Sequence, residues 1–99
     1  MSQTKNGLFV RLHAKTGMEK ELSSFLAGAL PLANLEKGTL NWFAIQFDKS
    51  TFGIFDTFPG DHERDAHLHG EIAAALMANA SKLLAQAPVI EKIDILAKK

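Results

Sequence analysis

The chain has no cysteine and no net charge, and each of these absences excludes a class of protein. Without cysteine among its 99 residues there can be no disulfide, no thiol nucleophile and no zinc–thiolate site. Basic and acidic residues balance, so the basic surface of a nucleic-acid-binding protein is missing. No apolar run approaches the roughly 20 residues of a membrane span, and residues 1–7 lack the apolar core of a signal peptide. We therefore expect a cytoplasmic protein that binds neither nucleic acid nor membrane.

The pattern of apolar residues predicts one domain, residues 1–99, with four strands and two helices. Apolar side chains alternate in the predicted strands at 8–14, 39–47, 52–58 and 89–96. They recur at helical spacing in the predicted helices at 18–30 and 61–86, the second with a break at Gly70. The order strand, helix, strand, strand, helix, strand predicts an α+β, ferredoxin-like βαββαβ fold, in which both helices cover one face of an antiparallel sheet.

Local signals predict where the helices begin and end. Thr16, followed three residues later by Glu19, has the pattern of a capping box. Pro31 predicts that the first helix ends at residue 30, with a kinked continuation to Leu35 as the alternative. Asp61 is the expected cap of the second helix.

The predicted sheet is apolar on both faces. Along the second strand one side carries Leu40, Trp42 and Ala44, and the other carries Phe43, Ile45 and Phe47. Two helices can cover only one of these faces, and each large apolar side chain left in water forfeits roughly 1.5–3 kcal/mol. We therefore expect a homodimer that pairs through the uncovered sheet face. The alternative is that the helical segments and long loops wrap both faces.

Several segments resemble the antibiotic biosynthesis monooxygenase superfamily. They are TLNWFAIQFDKSTFGIF, GIFDTFPGDHERDAHL, GEIAAALM and KLLAQAPVIEKIDILA, which together cover nearly all of residues 39–97. The resemblance implies a dimeric α+β barrel in which two ferredoxin-like sheets face each other. It also implies a substrate pocket between the helices and the sheet of each protomer, used without a metal or cofactor. The chain has no tyrosine, so family sites that depend on a phenol donor cannot operate here.

His67 is the first candidate for a catalytic residue. Oxygenation without a cofactor requires an electron-rich substrate, a base that removes its proton, and an apolar pocket that excludes water. The resemblance places His67 at the helix histidine of the family, and an imidazole titrates near neutral pH. The alternative is that His67 only bonds a loop carbonyl and fixes the turn from strand to helix.

Other residues are candidates for a substrate pocket. They are Trp42, Asn41, Phe43, Phe55, Arg11 and His13. Trp42 would stack on a planar ring, although a tryptophan on a strand also suits a core or an interface. Asn41 would bond a carbonyl or simply lie exposed on its strand. Arg11 and His13 would hold an oxyanion, or else form an ion pair between subunits or a solvated strand face.

The cluster of His62, His67 and His69 does not have the spacing of a metal site. His62 and His69 share one helix face, His67 lies off it, and no i,i+4 pair is present. We therefore expect a hydrated helix start rather than a metal site.

Two functions remain open. The first is a cofactor-independent monooxygenase that oxidises a quinol-like or polycyclic aromatic molecule with O2. The second is a non-catalytic dimer that binds a small apolar ligand or a regulatory partner.

Overall fold

The computed structural model describes residues 3–99, and these form one antiparallel sheet with four helices. The elements are β1 (Asn6–His13), α1 (Glu19–Gly28), α2 (Leu30–Leu35), β2 (Asn41–Gln46), β3 (Thr51–Phe58), α3 (Asp61–Leu68), α4 (Glu71–Leu83) and β4 (Val89–Asp94). The strand order is β2-β3-β1-β4. The ferredoxin-like prediction is confirmed, and each crossover contains two helices rather than one.

The helix-facing side of the sheet holds the core. Alternate residues of β1 point to this side, and Leu8 and Leu12 are completely buried there. The strands and helices that complete this core contribute Val10, Leu22, Leu26, Phe52, Ile54, Leu76, Leu83 and Leu84. The same alternation continues along β3 through Phe52, Ile54 and Phe58, with Asp56 between the last two. A carboxylate therefore occupies an inward position in an otherwise apolar row.

The opposite side of the sheet, which we call the open face, is not covered by any described helix. Phe43, Ile45 and Phe47 of β2 and its following loop are 51, 36 and 49% exposed there, and Val89 at the other edge of the sheet is 44% exposed. Phe43 stacks on Phe55 with ring centroids 6.2 Å apart. The predicted apolar second face is therefore present.

The helix starts differ from the predicted ones. The capping-box prediction is wrong, because α1 begins after Met18 and the carboxylate of Glu19 instead accepts a hydrogen bond from the backbone N–H of Gly17 at 2.9 Å. The prediction of Asp61 as a cap is also wrong. Gly60 precedes α3, and Asp61 Oδ1 accepts a hydrogen bond from Asn6 Nδ2 at 2.8 Å. In both cases the carboxylate accepts a hydrogen bond from a nearby donor outside the helix.

Pro31 does not end the first helix. That helix already stops at Gly28, and Pro31 lies in the first turn of α2. A proline fits there because the first N–H groups of a helix have no partner within it. The chain therefore stays helical to Leu35, as the kinked alternative predicted, and this brings Glu36 against α3.

Candidate functional site

His67 lies between two carboxylates. Its Nε2 is 2.9 Å from Asp56 Oδ2, and its Nδ1 is 2.5 Å from Glu36 Oε1. The imidazole is only 8% exposed, Asp56 is completely buried, and the Phe58 ring packs 5.3 Å from the His67 ring. We call Asp56, His67 and Glu36 the buried triad. The expected alternative for His67, a hydrogen bond to a loop carbonyl, does not match these contacts, because both ring nitrogens meet carboxylates.

Three elements position the triad. Asp56 lies on the helix-facing side of β3, His67 in the last turn of α3, and Glu36 directly after α2. Thr39 Oγ1 donates to Glu36 Oε1 at 2.7 Å and fixes that carboxylate from its own loop. The Cβ of a larger residue at position 70 would come within 3.1 Å of Glu36 Oε2. Gly70 therefore lets the turn between α3 and α4 approach Glu36 closely.

Burial and hydrogen bonding act in opposite directions on the two buried members. Burial raises the pKa of Asp56, and the bond to His67 opposes this increase. Burial lowers the pKa of His67, but the hydrogen bonds to Asp56 and Glu36 outweigh it and leave the pKa of His67 raised above its ordinary value. The arrangement thus favours an imidazolium that is hydrogen-bonded through Nδ1 to Glu36 and ion-paired through Nε2 with Asp56.

A cleft of about 530 Å³ opens beside the triad, and we call it the His67 cleft. It is bounded by α2, the loop that follows it, α3 and the start of α4. Its lining residues are Leu32, Leu35, Glu36, Lys37, Gly38, Thr39, His62, Glu63, Ala66, His67, Gly70 and Glu71. It therefore joins an apolar wall from α2 to acid–base groups, which is the combination that proton transfer to a bound organic molecule requires.

A second cleft, of about 460 Å³, lies between α1 and β2, and we call it the Trp42 cleft. Its lining is mostly apolar and includes no titratable side chain: Ser23, Leu26, Ala27, Leu30, Trp42, Phe43, Ala44, Ile45, Gln46 and Phe52. The indole of Trp42 also packs against both parts of the core. Both expected roles of Trp42, pocket wall and core residue, thus correspond to contacts that it makes.

The remaining predicted pocket residues lie on the open face, away from His67. Asn41 accepts a hydrogen bond from Thr57 Oγ1 at 2.8 Å. The guanidinium carbon of Arg11 lies 4.5 Å from the centre of the Phe47 ring, a cation–π contact. His13 shares this face with Arg11, as the strand alternation predicted.

The structure does not bring all the predicted residues into one site, although Asn41, Phe43 and Phe55 together line a cleft of about 300 Å³. Phe43 and Phe55 form their stack on the open face, whereas His67 and Trp42 lie on the helix-facing side. Only the side chain of Phe43, at the sheet edge, also reaches the Trp42 cleft. Phe43 and Phe55 lie on the opposite face of the sheet from His67 because successive strand residues point to opposite faces.

Sequence reasoning missed Asp56 and Glu36. A signal for Asp56 was present, since it continues the inward row of Phe52 and Ile54, and a carboxylate in a buried row is rare unless it is paired. Glu36 gave no comparable signal, because its role depends on where α2 ends relative to α3.

Within residues 3–99, no group of three or more His, Cys, Asp or Glu side chains could hold a metal ion. His69, one of the three neighbouring histidines, instead donates from Nδ1 to the carbonyl of Asp65 at 2.8 Å. None of the described helices is long and apolar enough to cross a membrane.

The chain is similar in sequence or in fold to several proteins of known structure. No protein-family model and no curated protein matches the chain. The Nitrosomonas europaea protein NE2512, of unknown function, is 60% identical over 98% of this chain and 94% of its own, with a TM-score of 0.97. PA3566 from Pseudomonas aeruginosa is 22% identical over 95% of this chain and 96% of its own, with a TM-score of 0.82. An antibiotic biosynthesis monooxygenase is 13% identical over 93% of this chain and 99% of its own, with a TM-score of 0.80. The last two likenesses show a common fold.

Proposed function

We propose that this chain, which belongs to the same family as NE2512 and has the fold of antibiotic biosynthesis monooxygenases, is a cofactor-independent monooxygenase. Its substrate class would be a quinol-like or polycyclic aromatic small molecule, and its oxidant O2. The observation that carries the proposal is the buried triad at the edge of the His67 cleft. It supplies an acid–base unit beside an apolar wall on this fold.

The chemistry of such a substrate needs only a proton acceptor and a place to hold an anion. When a base removes a proton from an activated aromatic CH2 group, the carbanion gives one electron to O2, and the two radicals combine to a peroxide anion. That anion takes up a proton and loses water, which leaves a carbonyl group. One oxygen atom enters the product, the other leaves as water, and the substrate supplies all four electrons that reduce O2. The protein's part is general acid–base catalysis and exclusion of water.

The proposal includes a homodimer formed through the open face. The exposed aromatic and aliphatic side chains there are contiguous along β2, and an apolar area of this kind marks an interface. A second copy of the same face is a self-complementary partner with two-fold symmetry. Because the His67 cleft lies on the other side of the sheet, this pairing would leave the cleft open to a substrate.

Oxygen uptake tests the enzymatic proposal. We expect the protein to consume O2 with at least one member of a panel of hydroquinones and anthrones. His67→Ala should reduce the rate at least about 100-fold, because it removes the centre of the acid–base unit.

The matched control is His69→Ala, which changes an exposed histidine two residues away and should keep the wild-type rate. Absence of oxygen consumption across the whole panel, at wild-type folding, would count against the oxygenase.

The Trp42 cleft favours a second function, a non-catalytic module that binds a small apolar ligand or serves a regulatory partner. Because this cleft has no titratable side chain, a ligand held there meets no proton acceptor. Binding without turnover would appear as a ligand-dependent rise in Tm without oxygen uptake. A Trp42→Ala change should then abolish that rise, whereas His67→Ala should not.

A further inference from the structure

We infer that Glu36 is the proton acceptor of the His67 cleft, taking the proton of a phenolic ligand on Oε2, and that His67 is a positioning residue that holds Glu36 through Nδ1. The inference rests on the proposed function for the later reaction with O2. It changes the predicted role of His67 from base to support.

Both nitrogens of His67 are already engaged. Nε2 faces Asp56 at 2.9 Å and Nδ1 faces Glu36 at 2.5 Å. An imidazolium paired with both carboxylates carries a proton on each nitrogen, so it has no lone pair left to accept a proton from a ligand. With 8% of its surface exposed, His67 also offers little room for a ligand. It can act as a base only after one of these bonds breaks.

Glu36, in contrast, has one carboxylate oxygen that accepts hydrogen bonds within the protein and one that does not. Oε1 accepts the hydrogen bonds from Thr39 and His67. Oε2 points toward Gly70, where an added Cβ would come within 3.1 Å of it, and it makes no hydrogen bond to any residue in 3–99. The side chain is 22% exposed and lines the His67 cleft. Oε2 is therefore the triad atom that a ligand in the cleft can reach.

The other charges around the cleft favour an uncharged ligand. Lys37 follows Glu36 in the loop, His62 and Glu63 face the cleft from α3, and Glu71 faces it from the start of α4. Together with Glu36, three carboxylates thus line a cleft that has one lysine. A neutral phenol meets no repulsion there, whereas a carboxylated or sulfonated ring does.

The proposed step balances without a further reactant. The phenol O–H bond breaks, its proton goes to Glu36 Oε2, and the electron pair stays on the phenolate oxygen. Glu36 becomes neutral while His67 keeps both of its protons. The total charge of ligand and triad is unchanged, so no charge is added to a poorly solvated site.

Binding of 2-naphthol, a phenol that can be studied without turnover, tests the assignment. We expect Glu36→Gln to weaken binding about tenfold, because a neutral acceptor replaces a charged one in the same position. The matched control Glu21→Gln, which removes an exposed carboxylate of α1 outside the cleft, should stay within about twofold of wild type. No binding to the wild-type protein, or an equal loss in both variants, would overturn the inference.

Nuclear magnetic resonance of the wild-type protein gives a readout that a merely structural role would not move. At pH 6.5 both nitrogens of His67 should be protonated, with and without 2-naphthol, and the carboxyl carbon of Glu36 should shift on addition of the ligand as Oε2 accepts the hydrogen bond of the phenol. Glu36→Gln should lower the pH at which His67 loses its proton. A neutral His67 ring, or an unmoved Glu36 carbon at saturating ligand, would refute the assignment. If these results hold and no quinol is oxidised, the oxygenase proposal alone fails.

Discussion

At the scale of single residues, the buried triad is the most consequential feature, because it couples a fully buried carboxylate to the surface. Asp56 pairs with Nε2 of His67, and Nδ1 of His67 pairs with Glu36, which lines the cleft. A buried charge is costly unless it is paired, so each member stabilises the next. This coupling has a consequence for stability that does not depend on any ligand.

Stability should fall as the pH rises. The folded protein raises the pKa of His67 above its ordinary value of 6.5, so the folded state binds that proton more tightly than the unfolded state. The resulting stabilisation is complete below pH 6.5 and is lost as the pH rises through the folded-state pKa. The raised pKa of Asp56 also makes stability fall as the pH rises, and this effect begins above pH 3.8. Urea unfolding between pH 5.5 and 8.5 should therefore give a decreasing free energy of unfolding.

Two histidine variants test whether His67 causes this dependence of stability on pH. His67→Gln should make the decrease with pH clearly shallower, because the titrating ring is gone. His69→Gln, at an exposed position, should retain the wild-type dependence. A wild-type stability that is flat or rising over this pH range would contradict the assigned direction.

The family resemblance singled out His67 as a candidate, but the sequence reasoning named neither of its partners. The alternation along β3 put Asp56 in the row of Phe52 and Ile54, a signal that was missed. Glu36, however, lies 31 residues from His67, and its contact depends on α2 continuing past Pro31. The local pattern at Pro31 allowed that continuation only as an alternative, because it depends on packing of α2 against α1 and α4.

At the scale of secondary-structure elements, strands were predicted well and helix ends poorly. The alternation in β1 and β3 reflects burial of several large side chains, an effect of many kcal/mol. A helix cap contributes only about 1 kcal/mol, so nearby tertiary donors override it, as they do at Glu19 and Asp61. The start of α3 is exposed at Asp61 and His62, as expected, but Arg64 behind them is buried.

Arg64 attaches α3 to the sheet. Its Nη1 donates to the carbonyls of Gly7 on β1 and Ile93 on β4, at 3.2 and 3.3 Å, and its Nη2 lies 3.2 Å from Asp61 Oδ1. The planar guanidinium reaches all three acceptors at once, which a lysine ammonium cannot do. Arg64→Lys should therefore lower the free energy of unfolding by about 2 kcal/mol, measured by urea denaturation.

The control for this change is Lys20→Ala, at an exposed cation of α1, which should alter stability by less than about 0.5 kcal/mol. If Arg64→Lys is as stable as wild type, the fork of hydrogen bonds does not anchor α3. Because His67 lies three residues after Arg64, loss of this anchor should also loosen the triad.

At the scale of the whole molecule, the fold limits the chemistry without determining it. One fold of this type supports many functions, so the proposal of an oxygenase depends on the triad and the cleft rather than on the sheet. The sheet explains a different property. Four helices shield its helix-facing side, and the described structure leaves the open face with contiguous exposed aromatic residues.

Pairing through the open face should respond to a charge placed in its centre. Phe43→Glu places a carboxylate at the most exposed aromatic position of β2, where pairing of two copies would bury the charge without a partner. We therefore expect sedimentation velocity at micromolar concentration to show dimers for the wild type and monomers for the variant. Met77→Glu makes the same kind of change at a side chain that is 61% exposed on α4, and it should remain dimeric. A monomeric wild-type protein at tens of micromolar, or a dimeric Phe43→Glu variant, would show that another surface, or none, joins the copies. In that case the apolar residues of the open face would need a different partner, since water alone leaves them uncompensated.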